Sequence, residues 1–265
     1  MTALQDDTAI LDVRSIRKSL GEGAARQVII GDLSFAARPG EFLSVVGPSG
    51  CGKTTLLMCL AGLYGVDAGS VRFEAQAVSA PPPGLSVVFQ DYSRSLLPWK
   101  NNLDNVVFGM KRTTLSDAEK RRRAAELLVA VGLEGYEKHM PWQVSGGMQQ
   151  RVAIARGLAA QSRLLLLDEP LAAVDAQTRA ELQDLLLDLA QRFRQTCLLV
   201  THDVDEAVYM ADRVIVLSRR PTRVMADLRV DLPKPRDQLA TREHRAYLDL
   251  RHEVISMIRS MRQAA

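Results

Sequence analysis

Gly47-Pro48-Ser49-Gly50-Cys51-Gly52-Lys53-Thr54-Thr55 is a turn of glycines and small residues that closes directly on Lys-Thr-Thr. It fits the phosphate-binding pattern G-x-x-x-x-G-K-[ST]. Its flanks agree: Phe42–Val46 is a short apolar run that reads as a buried strand, and Thr55–Ala61 behind it reads as a helix. Strand, Gly-rich turn and helix start together make an anion cradle, because backbone N–H groups converge there and the helix dipole adds partial positive charge. In that reading Lys53 reaches the β- and γ-phosphates of a nucleotide and the Thr54 hydroxyl holds Mg²⁺. A plain Gly-rich turn before a core helix would explain the glycines, but not Lys-Thr placed straight after them.

Outward from this loop, strand and helix signals alternate. Leu11–Ile16 and Val28–Phe35 read as β-structure around a turn at Gly21–Gly23, and Pro39-Gly40 separates them from the loop strand. Gly69–Phe73 and Leu85–Phe89 are further strands, separated by the break Pro81-Pro82-Pro83-Gly84. Between about Lys100 and Gln143 the pattern turns helical. Ser116-Asp117-Ala118-Glu119 there is a capping box, opening a helix with Ala124, Leu127, Leu128 and Val131 on its apolar side. Strands return at Leu164–Leu167, Cys197–Val200 and Arg213–Leu217, with helical stretches between them. That order predicts an α/β fold with a mostly parallel sheet and right-handed crossovers, interrupted by a helical insertion. Tyr247, Leu250, Val254, Ile258 and Met261 at helical spacing predict a packed C-terminal helix.

Two more stretches point to phosphate chemistry. Arg163–Pro170 is an apolar strand ending on Asp168 and Glu169. Beside a phosphate loop, Asp168 is placed to hold Mg²⁺ through its water shell and Glu169 to polarise an attacking water. Alone, the same residues would be an ordinary core strand. Val144-Ser145-Gly146-Gly147-Met148-Gln149 is the second. Ser145 caps a helix expected from about Gln149 to Ala160, and two glycines let backbone approach an anion closely. Alone it would be a plain capped turn before a core helix; read as a second cradle, which one nucleotide rarely needs from one chain, it suits a nucleotide held by a second copy.

The bulk numbers narrow the class. At 265 residues, with 47% hydrophobic and only 5% aromatic residues, the chain suits one large Leu/Val/Ala-rich domain or a core with a subdomain. A net charge of +3 is too slight to argue for nucleic acid. Three cysteines, Cys51 in the loop, Cys59 and Cys197, make no disulfide framework and point to a reducing compartment. The polar, acidic Met1–Asp7 is unlike a secretion signal, and no run approaches the ~18 apolar residues of a membrane span.

Together these motifs resemble the nucleotide-binding subunit of an ATP-binding cassette (ABC) transporter, and the resemblance covers most of the chain. It implies a RecA-like P-loop NTPase core with an antiparallel β subdomain, all of 1–265 forming one domain. A helical subdomain is inserted at about 91–160, and a helical tail runs from about 237 to 265. Gly47, Pro48, Ser49, Gly50, Cys51, Gly52, Lys53, Thr54 and Thr55 match the family's Walker A motif, and Leu164–Asp168 its Walker B, with Glu169 as catalytic base. Ser145, Gly146, Gly147 and Met148 match the signature motif, which in this family meets ATP across a head-to-tail dimer. Gln90 stands where the Q-loop glutamine senses Mg²⁺ and the transmembrane partner; Asp175 matches the D-loop aspartate and His202 the switch histidine on the γ-phosphate. Taken singly, Gln90, Asp175 and His202 would be ordinary strand-end and cap residues.

The chain departs from the family at Leu20, where an aromatic usually stacks on adenine, at Val144 and Met148 of the signature, and at Ala172–Asp175, which lacks a serine. The stretches Asp212–Pro221 and Val230–Arg236 resemble those of importers for nitrate, sulfonates, taurine and similar small anions. The resemblance implies ATP and Mg²⁺, a second copy of the chain, transmembrane permease subunits and, through them, a solute-binding protein. It places the subunit peripherally on the cytoplasmic face of the membrane, with no nucleic-acid partner. Leu96–Trp99 reads equally as a permease-docking groove and as packing within the insertion. Rival readings are an ABC ATPase of another transporter class, a nucleic-acid-acting ABC ATPase, which would show salt-sensitive binding, and a P-loop kinase or GTPase. The last has no use for Ser145-Gly146-Gly147.

Overall fold

The computed structural model describes residues 9–91, 95–172 and 174–263. The acidic Met1–Asp7 and Ala173 of the Ala172–Asp175 stretch therefore lie outside the described residues. The chain divides into two compact units, Met1–Pro82 with Thr196–Ala265, and Pro83–Gln195.

The first unit is built on strands β1 (Leu11–Leu20), β2 (Gln27–Ala37), β3 (Phe42–Val46), β4 (Ala68–Phe73) and β5 (Gln76–Ala77). To these it adds β8 (Thr196–Thr201), β9 (Arg213–Leu217) and β10 (Thr222–Arg229), in the order β5-β4-β1-β2-β10-β9-β3-β8. β3 pairs parallel with both β8 and β9, whereas β1 pairs antiparallel with β2 and β4. Every residue of β3 and of β8 is buried, as expected of parallel strands covered on both faces. Its helices are α1 (Lys53–Leu60), α6 (Val204–Met210), α7 (Ala240–Glu243) and α8 (Arg245–Gln263).

The second unit holds the parallel pair β6 (Leu85–Val88) and β7 (Leu164–Asp168). Its helices are α2 (Asn102–Gly109), α3 (Asp117–Ala130), α4 (Gly146–Ala159) and α5 (Ala176–Arg192). Side-chain caps start each of them. Ser116 and Glu119 form the capping box of α3, Asn101 accepts from the Asp104 N–H at the start of α2, and Asp175 caps α5. Asn105, fully buried, donates to the Leu97, Lys100 and Asn101 carbonyls and so staples the preceding turn to α2.

Most sequence-based elements lie where they are expected, and β3 and β9 agree to the residue. Two differ. α4 begins at Gly146, directly behind its cap, rather than near Gln149, because the Ser145 side chain bonds the first turn and holds two glycines in helical conformation despite their entropic cost. β10 has no counterpart in the sequence reading. Only every second residue is covered, and an apolar Met225 stands among Arg223, Asp227 and Arg229 on the open face, so its hydrophobic pattern is faint.

Candidate functional site

The phosphate loop follows from the sheet. β3 ends at Val46 and the chain must turn within six residues to start α1 at Lys53. Gly52 makes the turn at φ 112, a conformation that strains any residue with a Cβ. A Cβ there would also sit 2.6 Å from Ile29 Cγ2. No side chain caps α1, so its first N–H groups face the loop, and the Thr222 hydroxyl clamps the turn by donating to the Cys51 carbonyl. Lys53 is only 6% exposed; its ammonium donates to the Gly47 and Pro48 carbonyls at 3.0 and 3.3 Å. Among the described residues no carboxylate pairs with it. A buried cation lacking a counter-charge is costly, and an anion in the loop would relieve that cost. Thr54 is exposed at the first turn of α1, with Thr55 half-buried behind it. The Cys51 thiol is buried; desolvation pushes its pKa up against the opposing charge of Lys53.

Register decides what stands beside the loop. Val46 pairs with Thr201 on one side and with Val216 on the other, so the residues that follow β8 and β9 flank Gly47. His202 emerges there from β8 and, with Gly47, Ser49, Val204, Ile255, Ile258 and Arg259, lines a cavity of about 200 Å³. On the β9 side Arg219 and Arg220 line a cavity of about 370 Å³ with Pro48, Ser49, Gly50 and Cys51. Leu20, at the end of β1, is exposed.

In the second unit the same logic applies. Val88 pairs with Leu167, so Gln90 and Glu169, each two residues further on, meet: the Gln90 amide donates to Glu169 Oε2 at 3.4 Å. Glu169 lies just past β7 with φ 44, so strand alternation does not set its direction; this left-handed backbone does. Such strain in a non-glycine residue tends to persist at functional positions. Asp168, the last residue of β7, is 4% exposed.

Ser145 accepts from the Met148 N–H at 3.3 Å and starts α4, leaving Ser145 and Gly146 exposed, with Gly147 and Met148 partly covered. Gly147 is pressed against α5: a Cβ on it would lie 2.9 Å from Thr178 Cγ2. Asp175 caps α5 through Thr178, whose N–H and hydroxyl both donate to its carboxylate, and these bonds hold that carboxyl below its usual range. The structure thus joins the Ser145–Met148 turn to the Asp175 cap, a link that no sequence signal announces. It also gathers His202 and the loop around one cavity, and Gln90 with Glu169. The sequence reading missed the arginines at the loop. Arg259 lay within a tail read only for its packing face, and Arg219-Arg220 within a stretch read only for its resemblance.

A protein-family model described as ABC transporter matches residues 30–172. The chain is 44% identical over 237 residues to the aliphatic sulfonates import ATP-binding protein SsuB 2 of Burkholderia lata, covering 89% of this chain and 83% of that one. It is 39% identical over 260 residues to the nitrate import ATP-binding protein NrtD of Synechococcus elongatus, covering 97% and 94%. Among solved structures it resembles a dimeric ATP-binding cassette in a post-hydrolysis state bound to ADP and Pi. That match has a TM-score of 0.73 and 30% identity, and covers 83% of this chain and 98% of the other.

Proposed function

The chain belongs to the ABC transporter ATP-binding family, with its P-loop NTPase fold, and from that premise we propose that it is the ATP-hydrolysing subunit of an importer for a small anion such as nitrate, taurine or an aliphatic sulfonate. The observation that carries the reading is Lys53, a buried ammonium held by two loop carbonyls in an uncapped helix start and lacking a carboxylate partner among the described residues. A triphosphate supplies the missing charge.

In this reading the Gly47–Thr55 backbone wraps the phosphates and Lys53 neutralises them. Glu169, oriented by Gln90, accepts a proton from the attacking water, and His202 contacts the γ-phosphate. The Thr54 hydroxyl, the Gln90 amide oxygen and the Asp168 carboxylate are hard oxygen donors suited to Mg²⁺, which favours one or two carboxylates plus phosphates and water over an all-protein cage. Mg²⁺ would spread the charge developing on the β- and γ-phosphate oxygens. Ser145, Gly146, Gly147 and Met148, beside Asp175, meet the nucleotide of a second copy head-to-tail, so closing the dimer completes each site.

Hydrolysis then reopens the pair and drives a permease, itself fed by a solute-binding protein. Docking uses the turn before α2, where Leu96 is buried and Trp99 is 71% exposed on a segment stapled by Asn105. No helix among the described residues is long and apolar enough to cross a membrane, which suits a subunit held peripherally on the cytoplasmic face.

Glu169→Gln is the test. It should bind ATP as the wild type does, lose turnover by ~10²–10⁴-fold, and elute as a trapped dimer with ATP on size-exclusion chromatography. Unchanged turnover would remove Glu169 from the mechanism.

A further inference from the structure

The C-terminal helix is tied to the segment that carries His202. Asp205, three residues past His202 in the first turn of α6, accepts from Arg251 Nε at 2.5 Å, from Arg251 Nη2 at 3.3 Å and from the Tyr247 hydroxyl at 3.0 Å. Burial alone would raise the Asp205 carboxyl, but the bonds from Arg251 and Tyr247 hold it below its usual range. Tyr247 is 2% exposed and Val254 fully buried, so α8 is seated by packing as well as by charge.

Arg251, Ile255 and Arg259 are spaced by four residues and form one stripe along α8. Fixing Arg251 on Asp205 therefore aims the whole stripe. Ile255 and Arg259, with Ile258, line the same cavity as Gly47, Ser49 and His202. Arg259 lies ~12 Å along the axis from Arg251. It is exposed, and among the described residues it pairs with no carboxylate. An exposed guanidinium, two isoleucines and the phosphate loop lining one cavity are the ingredients of an oxyanion contact. Arginine's planar fork matches phosphate oxygens in pairs.

We propose that Arg259 supplies a guanidinium from the C-terminal helix to the terminal phosphate of the nucleotide held on Gly47–Thr55 of the same chain. This rests on the nucleotide reading of that loop. Lys53 is fixed by the loop's own carbonyls and serves whichever nucleotide is bound. Arg259, which lines one cavity with Ser49 and His202, adds to His202 a second contact that a third phosphate gains and a diphosphate lacks.

The test is equilibrium titration of the full chain, with Mg²⁺, by fluorescent ADP and by a fluorescent, non-hydrolysable ATP analogue. Arg259→Ala should weaken the ATP analogue about tenfold, the loss of one charge-assisted contact, and leave ADP binding and the melting temperature as they are. Arg259→Lys, which keeps the charge without the fork, should fall between. Equal losses for both nucleotides, or none for either, overturn the proposal. Lys53→Ala separates the two ideas. If it leaves both affinities intact, the loop is not the nucleotide site. If it abolishes binding while Arg259→Ala changes nothing, only the role of Arg259 fails.

Discussion

Replacing Gly147 by alanine probes the seat of α4 on α5, and the structure sets both the size and the sign of the effect. The new Cβ would stand 2.9 Å from Thr178 Cγ2, where two carbons prefer ~3.5–4.0 Å. Thr178 does not swing aside freely, because its N–H and hydroxyl are both bonded to Asp175, at 3.0 and 2.7 Å. Overpacking of this kind costs ~1–3 kcal/mol. Against it, alanine is favoured over glycine within a helix by ~0.5–1 kcal/mol. The net expectation is a loss of ~0–2.5 kcal/mol.

Thr178→Ser removes the offending methyl and keeps the hydroxyl that bonds Asp175. In that background Gly147→Ala should retain only its helix-propensity gain and stabilise by up to ~1 kcal/mol. The same substitution thus changes sign between two backgrounds. Urea unfolding followed by circular dichroism, without nucleotide, on the four proteins of this cycle measures it. An effect of Gly147→Ala equal in sign and size in both backgrounds would show that Thr178 is not what Gly147 rests on.

Two further outcomes follow from the remaining contacts. The Asp205–Arg251 pair is 37% and 41% exposed, so a double-mutant cycle should give a coupling of only ~0.5–1 kcal/mol. Because the Asp205 carboxyl is held low in the folded state, the advantage of wild type over Asp205→Asn should be full above the ordinary carboxylate pKa of ~4 and fade as pH falls below it. A difference that stays flat down the acid limb would contradict the assignment. For the thiols, burial pushes Cys59 to about 11 and Cys197 to about 12 and raises Cys51 as well. N-ethylmaleimide at pH 7 should therefore label the protein only after denaturation, despite a cysteine in the phosphate loop. Rapid labelling of the folded chain at Cys51, read by mass spectrometry, would mean that the loop opens.

Whatever is written in local spacing can be read straight from the chain. A run of five buried residues marks β3, Ser116 and Glu119 three apart mark the start of α3, and glycines followed by Lys-Thr mark the loop. Each signal depends on residues within a turn or two of one another, or on a period that any reader can count. The same locality explains the failures. β10 shows only a faint alternation, and Gly146-Gly147 conceals the first turn of α4 because glycine is a poor helix former that only the Ser145 cap holds helical.

Which distant residues meet is legible only in the folded chain. Gln90 touches Glu169 because Val88 is in register with Leu167, and a shift of one residue would part them. His202 stands beside Gly47 because Val46 pairs with Thr201. Gly147 lies under Thr178, and Arg259 reaches the loop cavity from a helix that starts 192 residues after Lys53 and is aimed by one carboxylate, Asp205. Contacts of that kind depend on strand register and helix seating, which arise from packing across the whole chain rather than from any stretch of it.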